Sequence, residues 1–554
     1  MNKLYIRNRF LSLAGAAFVA ASAMAVPPIP GFVQVAQPDG TTVEARIIGD
    51  SEFHYYELSD GSLMMADLAD GFLKPTTAAN IEKLRVADAE RREVAMRKLQ
   101  TRTQPGVIRN DFPTTGELKG IVVLAEFQDV KFQPESTVEY FDKKLNQPGY
   151  VGPETNGSAY DYFVEQSNGV FKPQFDVVGP VTLPKNRADY GQYEDLNSLF
   201  RDAANLADTE CNVNFADYDI NDDHYIDFFM VIFAGHGEAQ GGPTETVWPA
   251  MKDMSYELTE NFDKKYMGQA ACFCELKLGT GTAADGIGTI CHEYSHILGL
   301  PDIYDSGSTG LYGMGHYDLM CYGPYNDDSL TPAGYTAMDK YTLGWITPRV
   351  LEAPEKDVKL GDLVSTNECI FIVNPNNKDE YYTLENRQPV GFDKGLPGHG
   401  LVISYVHYVR SNWNSNRVNT LFAGYEHVAL IAADDNRTLN SATTSTINFE
   451  AGDPFPGTEN VTAFTDDTKP AAVWHSTGNA TPIGMPITNI REEDGIITFD
   501  FMVGESAVTE IEVAEGEKEY YSLQGIKVAA ENLTNGIYIE RDSKGQTRKV
   551  SIRR

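Results

Sequence analysis

The stretch "TICHEYSHILGLPDIYD", residues 289–305, carries the residue types of this chain that are best suited to chemistry. On a helix over 286–299, His292 and His296 project from one face, one turn apart, so both rings can reach one metal ion about 2 Å away. Glu293 lies beside them and is suited to deprotonating a metal-activated water rather than to metal binding. The spacing therefore predicts a zinc-dependent hydrolytic site.

A third metal ligand must follow the helix. Gly299 permits a sharp turn at the helix end, and Pro301 prevents the helix from continuing. Asp302 can then fold back to the metal and fits the HExxHxxGxxD spacing. Asp305 is a rival for the same position, so the sequence favours Asp302 and leaves the alternative open.

The competing interpretation is an amphipathic core helix whose polar side chains are bonded locally. Ile290, Ile297 and Leu298 already define an apolar face. The His-Glu-His set would then need separate partners, because burying unpartnered polar groups is costly. This argument favours a metal site over a purely structural helix.

HExxHxxGxxD is the metzincin-type zinc signature, and "HEYSHILGLPDIYD" resembles the immune inhibitor A family of secreted metalloendopeptidases. The resemblance extends over about 116–505. It implies that Met320, in "GHYDLMCYGPYN", forms the methionine turn beneath the metal. It also implies that Tyr322 helps the zinc to stabilise the oxyanion, with a surface or core tyrosine as the alternative.

The segment "DINDDHYID", residues 219–227, has the D-x-N-x-D-x-x-x-D spacing of EF-hand-like calcium loops. Its oxygen ligands are Asp219, Asn221, Asp223 and Asp227. His224 stands where such loops usually carry Gly, but His tolerates a positive φ better than most residues. The sequence thus predicts a structural Ca²⁺ site, with a solvated acidic turn as the alternative.

Two continuous apolar runs, "GIVVLAEF" and "DFFMVIFAGHG", predict strands that are buried on both faces. They alternate with helical segments, which predicts an α/β domain over 116–350, and the family resemblance implies that this is a metzincin-like catalytic domain. Short alternating runs separated by turn residues predict an all-β, sandwich-like domain over 351–505. The expected fold class is therefore multidomain α+β.

The N-terminal 25 residues predict a signal peptide, because basic residues precede an apolar run that ends in Ala-Met-Ala. Residues 26–115 predict a small domain of hairpins and a basic helix, and the family resemblance implies that this domain is a propeptide. That domain contains no Cys, so a cysteine switch is excluded and Asp111 is the candidate latency residue. No other segment is long and apolar enough to span a bilayer.

The C-terminal segment 506–554 resembles the sorting domains of the type IX secretion system, with a plain β-hairpin as the alternative. This resemblance implies a secreted or outer-surface protein of a Gram-negative cell. The net charge of -34 argues against nucleic acid as a partner. Cys291 and Cys321 adjoin site residues, and a disulfide or two buried thiols are both consistent with their positions.

These features together predict a secreted zinc endopeptidase that acts on proteins or peptides, with Glu293 as general base. The alternative is a surface adhesin whose metal site is not catalytic. The intact His292, Glu293 and His296 set argues against the adhesin, since a binding module has no use for the glutamate.

Overall fold

The computed structural model describes most of the 554-residue chain. The described ranges are 24–100, 113–191, 195–255, 261–306, 311–419, 425–437, 450–475, 478–503, 519–523, 525–541 and 547–552. Most of the predicted signal peptide and Asp111 therefore lie outside the described residues.

The N-terminal part forms a five-stranded antiparallel sheet in the order β2-β3-β4-β5-β6, followed by a helix. Three Asp-Gly pairs form tight turns in this part, and their glycines, Gly40, Gly61 and Gly71, have positive φ. These turns give the predicted hairpins. The elements are β1 (Met24–Ala25), β2 (Val33–Ala36), β3 (Thr42–Gly49), β4 (His54–Leu58), β5 (Leu63–Ala66), β6 (Leu73–Pro75) and α1 (Ala78–Gln100).

The next part alternates strands and helices around a six-stranded sheet, in the order β1-β11-β14-β10-β7-β8. Its elements are β7 (Gly116–Glu126), α2 (Val138–Asn146), α3 (Ala159–Gln166), β8 (Phe171–Thr182), α4 (Ala188–Gly191), α5 (Leu196–Cys211), β9 (Tyr225–Ile226), β10 (Phe229–His236), β11 (Ala250–Asp253), β12 (Asn261–Phe262), β13 (Lys265–Met267), β14 (Gln269–Leu276), α6 (Gly288–Ile297) and α7 (Ala337–Thr342).

The central strands β8, β7, β10 and β14 run parallel, whereas β11 is antiparallel to β14. Successive residues of β10 point to opposite cores: Met230 packs with α6 on one face, and Val231 packs with α5 on the other. Both faces of the strand are therefore covered, which explains its continuous apolar run. Strand β1 adds to the sheet at the edge formed by β11.

Two further sheets follow, in the orders β15-β17-β18-β19-β20 and β16-β24-β23, and they share one apolar core. The first sheet also packs on the core around α6. Ile403 points into the core that the two sheets share, and its neighbour Val402 points into the core that contains α6. The elements are β15 (Arg349–Val350), β16 (Glu355–Leu360), α8 (Leu363–Thr366), β17 (Ile370–Asn374), β18 (Asn377–Arg387), β19 (Gly400–His407), α9 (Arg410–Asn414), β20 (Val428–Leu430), β21 (Val473–Trp474), β22 (Thr481–Pro482), β23 (Ile487–Glu493) and β24 (Ile496–Phe501).

The C-terminal segment forms a small antiparallel sheet in the order β26-β25-β27-β28. Its strands are β25 (Glu519–Tyr521), β26 (Lys527–Val528), β27 (Gly536–Arg541) and β28 (Thr547–Ile552). Among the described residues, no helix has the length and apolar character needed to cross a membrane. The chain as described is a mixed α and β structure with several sheets.

Candidate metal centre and cleft

The two histidines of α6 are oriented by backbone carbonyls. His292 Nδ1 donates to the Leu319 carbonyl at 2.8 Å, and His296 Nδ1 donates to the Leu300 carbonyl at 2.7 Å. Each bond places the proton on Nδ1 and leaves Nε2 with a free lone pair. The rings are thus held in the tautomer that a metal ion requires.

Asp302 brings a carboxylate oxygen to the same point. Its Oδ1 lies 3.1 Å from His292 Nε2 and 3.3 Å from His296 Nε2. Ligand atoms about 2.0–2.1 Å from a tetrahedral zinc ion are about 3.3 Å from one another. The two separations therefore match those between Asp302 and two other ligands of one such ion.

The turn after α6 makes this approach possible, as the sequence predicts, because Gly299 has φ +101°. Asp305 lies elsewhere in the turn, and its Oδ2 accepts a hydrogen bond from the Leu311 N–H at 3.1 Å.

The site is buried, and its polar atoms are unsatisfied. His292, His296 and Glu293 are each 0% exposed, and Asp302 is 2% exposed. Among the described residues, these side chains present buried atoms without a hydrogen-bond partner, namely His292 Nε2, His296 Nε2, Glu293 Oε2 and Asp302 Oδ1. Such a convergent, unsatisfied set is costly unless an ion or water binds it. Its donor types, two imidazoles and a carboxylate with a free glutamate beside them, fit zinc.

Burial also shifts the acid–base properties of the site. Burial raises the pKa of Glu293 well above its ordinary value, and the nearby Asp302 charge adds to this. Burial lowers the pKa of His292 and keeps its ring neutral. Burial alone would raise the pKa of Asp302, but the two histidines outweigh it and hold that pKa well below its usual range.

The segment that contains Met320 lies against α6. Leu319 supplies the carbonyl that orients His292, and the Met320 carbonyl accepts the Ile303 N–H at 2.8 Å. Met320 is fully buried in the same core as α6. Tyr322 packs on the edge of this core, with its ring 6.4 Å from that of Tyr304.

The cysteines beside the site are reduced. All six cysteines of the chain are free thiols, including Cys291 and Cys321. Burial raises the pKa of both thiols well above the ordinary value. Of the two arrangements that the sequence leaves open, the structure has the buried thiols.

The region that contains α6 is similar to known proteins. Residues 122–343 match the family model of the immune inhibitor A peptidase M6 catalytic domain. The pre-pro-metalloprotease PrtV of Vibrio cholerae serotype O1 (strain M66-2) is 30% identical over 217 residues, which cover 34% of this chain and 23% of that protein. Immune inhibitor A of Bacillus thuringiensis subsp. alesti is 27% identical over 237 residues, which cover 35% of this chain and 34% of that protein.

The chain thus spans between about a quarter and a third of the length of these two curated relatives. Their names and the matching family model support a metalloprotease family for the region that contains α6.

Asn416 supports the candidate metal centre from the part of the chain that follows α9. The Asp302 N–H donates to Asn416 Oδ1 at 2.6 Å, and Asn416 Nδ2 donates to Asp302 Oδ2 at 2.5 Å. Asn419 makes a second connection, because its Nδ2 donates to the Ile303 carbonyl. Sequence reasoning missed both residues, since they lie after α9, far from the zinc motif along the chain.

The chain's own segment Met24–Pro27 lies against α6 and Glu293, in a position that we call the cleft. Met24 and Ala25 pair antiparallel with Met251 and Ala250 of β11. The Val26 N–H donates to Glu293 Oε1 at 2.5 Å. Three side chains donate hydrogen bonds to backbone carbonyls of this segment. These are Tyr304 OH to the Ala25 carbonyl at 2.6 Å, Trp248 Nε1 to the Val26 carbonyl at 3.0 Å and Tyr325 OH to the Pro27 carbonyl at 2.6 Å. Sequence reasoning also missed this segment.

The hairpin sheet of the N-terminal part rests on the loop after β10. His54 Nε2 lies 3.1 Å from Glu238 Oε1, and Tyr56 OH donates to the same oxygen at 3.3 Å. The His54 ring also lies 4.9 Å from that of Trp248. His236, the last residue of β10, donates a hydrogen bond from Nδ1 to the Leu278 carbonyl at 2.8 Å. This nitrogen therefore helps to fix the end of β10.

The predicted calcium loop curls as its spacing requires. Asp219 accepts the N–H groups of Asp223 and His224, and His224 has φ +74° where calcium loops usually carry Gly. Asp227 Oδ2 accepts the Ile220 N–H at 2.7 Å. Lys265 Nζ, however, is ion-paired with Asp219. Among the described residues, the His, Cys and carboxylate groups that converge closely enough for a metal site are those of α6, where Asp302 Oδ1 also reaches both histidines.

Proposed function

We propose that this chain is a secreted zinc-dependent endopeptidase that hydrolyses protein or peptide substrates. One observation carries the proposal. Asp302 Oδ1 lies 3.1 Å from His292 Nε2 and 3.3 Å from His296 Nε2, and all three atoms are buried without a hydrogen-bond partner. The matching peptidase family model over residues 122–343 supports it.

In this proposal, His292, His296 and Asp302 hold the zinc ion. When bound, zinc supplies Lewis-acid activation of a water molecule and of the substrate carbonyl. Glu293 takes a proton from the attacking water and then passes it to the nitrogen of the breaking peptide bond. The products are a carboxylate and an amine, so one water molecule is consumed for each bond cleaved.

The test is Glu293→Gln, which removes the base and keeps the size of the side chain. We expect the purified variant to lose casein hydrolysis by at least about 100-fold, while elemental analysis shows unchanged zinc. Glu139→Gln is the matched control, because Glu139 is exposed on α2. A Glu293→Gln protein that still digests casein would exclude this mechanism and favour the non-catalytic, adhesin-type alternative.

We also propose that the N-terminal domain, residues 26–115, keeps the enzyme latent. Support comes from Val26, whose N–H occupies the carboxylate that the reaction needs. In the precursor, before the predicted signal peptide is removed, Met24 and Ala25 also occupy the edge of β11. Limited proteolysis of the exported protein should raise its activity on casein. N-terminal sequencing before and after digestion would identify the activating cut.

Two further assignments remain predictions. A structural Ca²⁺ at 219–227 requires Lys265 to leave Asp219, so Asp223→Ala should abolish any calcium-dependent rise in melting temperature. Export through a type IX system, with release or attachment at the outer cell surface, rests on the sequence of 506–554. Deletion of that segment should retain the protein inside the cell envelope.

A further inference from the structure

In the precursor, before the predicted signal peptide (residues 1–25) is removed, the Ala25–Val26 peptide bond lies across the proposed catalytic residues in the manner of a substrate. Its amide side, the Val26 N–H, donates to Glu293 Oε1 at 2.5 Å. Its carbonyl side accepts the hydroxyl of Tyr304 at 2.6 Å. The residues before the bond are paired with the edge strand β11, so the backbone is extended there. One peptide group is thus held by an acid–base residue at nitrogen and by a hydroxyl donor at oxygen.

Tyr304 is fixed rigidly enough to act as a preorganised donor. Its side chain is 2% exposed in the core that contains α6. The residue before it is bonded on both sides, since the Ile303 N–H donates to the Met320 carbonyl and the Ile303 carbonyl accepts Asn419 Nδ2. A donor held in place before the reaction stabilises developing negative charge without reorganising.

Tyr322 is less well placed for this task. The hydroxyl donors on the carbonyls of the cleft segment are Tyr304, on Ala25, and Tyr325, on Pro27. The Tyr322 ring centroid lies 6.4 Å from that of Tyr304, at an interplanar angle of 51°. Tyr304 contacts the peptide directly, so it is a better candidate than Tyr322 for the oxyanion role that the resemblance implies.

We propose that Tyr304 is a catalytic residue, which donates its hydroxyl proton in a hydrogen bond to the carbonyl oxygen of the scissile peptide bond. This assignment rests on the proposed endopeptidase function. When water adds to the carbonyl carbon, the oxygen gains negative charge and the hydrogen bond strengthens. Glu293 carries the proton from the water to the nitrogen, the C–N bond breaks, and Tyr304 keeps its own proton throughout.

The experiment compares three conservative variants of the full-length chain: Tyr304→Phe, Tyr322→Phe and Tyr325→Phe. Each is activated by limited proteolysis in the same way and assayed on one quenched-fluorescent peptide that the wild type cleaves. For Tyr304→Phe we expect kcat to fall about 100-fold, which is the usual loss for one oxyanion donor, with little change in KM. Tyr325→Phe loses a bond to a remote carbonyl, so we expect a higher KM. Tyr322→Phe should retain most of its kcat.

Zinc content and melting temperature are measured for each variant, because a structural defect would change them and a lost hydroxyl in the cleft would not. If Tyr304 only holds Ala25 in the uncut precursor, exported and activated Tyr304→Phe will match the wild type in kcat, which overturns the proposal. A kcat loss confined to Tyr322→Phe overturns it as well. Glu293→Gln is run in parallel: if that variant is active, the endopeptidase mechanism itself has failed.

Discussion

Asn416 holds Asp302 at two points, with its amide oxygen on the aspartate N–H at 2.6 Å and its amide nitrogen on the carboxylate at 2.5 Å. The two residues are 114 positions apart. Asn416 follows α9 in the part of the chain beyond residue 350, and its φ of +54° suits asparagine better than most residues. This part of the chain therefore orients a proposed ligand of the metal, although the sequence gives it no role.

Asn416→Ala should weaken metal binding, because the Asp302 carboxylate loses the partner that aims its other oxygen. Changes in such supporting residues typically cost about 10–100-fold in metal affinity. Competition with a chelator would measure the zinc dissociation constant. Asn414→Ala is the control, since Asn414 is exposed at the end of α9. An equal effect of both variants would contradict the proposed support.

Substitution of the two candidate aspartates should identify the third ligand. Asp302→Asn replaces the carboxylate that faces both histidines with a neutral amide, which is a weaker metal ligand, so we expect loss of zinc and of activity. Asp305→Asn alters a bond to the Leu311 N–H and should keep the metal. Zinc per chain, measured by elemental analysis, decides between them. Zinc loss in Asp305→Asn alone would mean that Asp305 is the ligand.

Helix α6 was predictable because the residues that define it are close together in the sequence. His292, Glu293 and His296 lie within two turns of one helix, and Gly299 and Pro301 determine where it ends. The buried strand β10 was predictable for a similar reason, since a continuous apolar run requires cover on both faces. In each case the contacts that matter follow from the spacing of neighbouring residues.

The remaining contacts of the site join distant parts of the chain. Tyr304 and Ala25 are separated by 279 residues, and Val26 and Glu293 by 267. Periodicity reports which face of an element is apolar, but it does not report which distant segment covers that face. The same limit applies to Lys265, whose pairing with Asp219 depends on the hairpin-like turn before β13.

The contact between His54 and Glu238 should control how tightly the N-terminal domain covers the cleft. His54→Ala removes the 3.1 Å contact and the packing on Trp248. A hydrogen bond to a charged group contributes about 1.5–3 kcal/mol, so the uncut chain should hydrolyse a peptide at least roughly tenfold faster. His399→Ala is the control, because that side chain is exposed and lies in the β-rich part. An unchanged basal rate would show that this contact does not hold the domain.

Glu165, at the junction of α3 with the β-rich part, should make stability depend on pH. Burial raises the pKa of Glu165 from 4.5 to about 7, although its carboxylate accepts the Phe392 N–H at 2.9 Å. Between these two values the folded chain retains a proton that the unfolded chain has released, so stability falls as pH rises through this window. Gln cannot ionise, so Glu165→Gln should lack this loss, which amounts to at most about 3 kcal/mol. Melting temperatures of both proteins at pH 5 and pH 7.5 measure the difference, with Glu139→Gln as the exposed control. Parallel pH profiles for the wild type and Glu165→Gln would mean that the Glu165 carboxyl is ionised in the folded chain across the window.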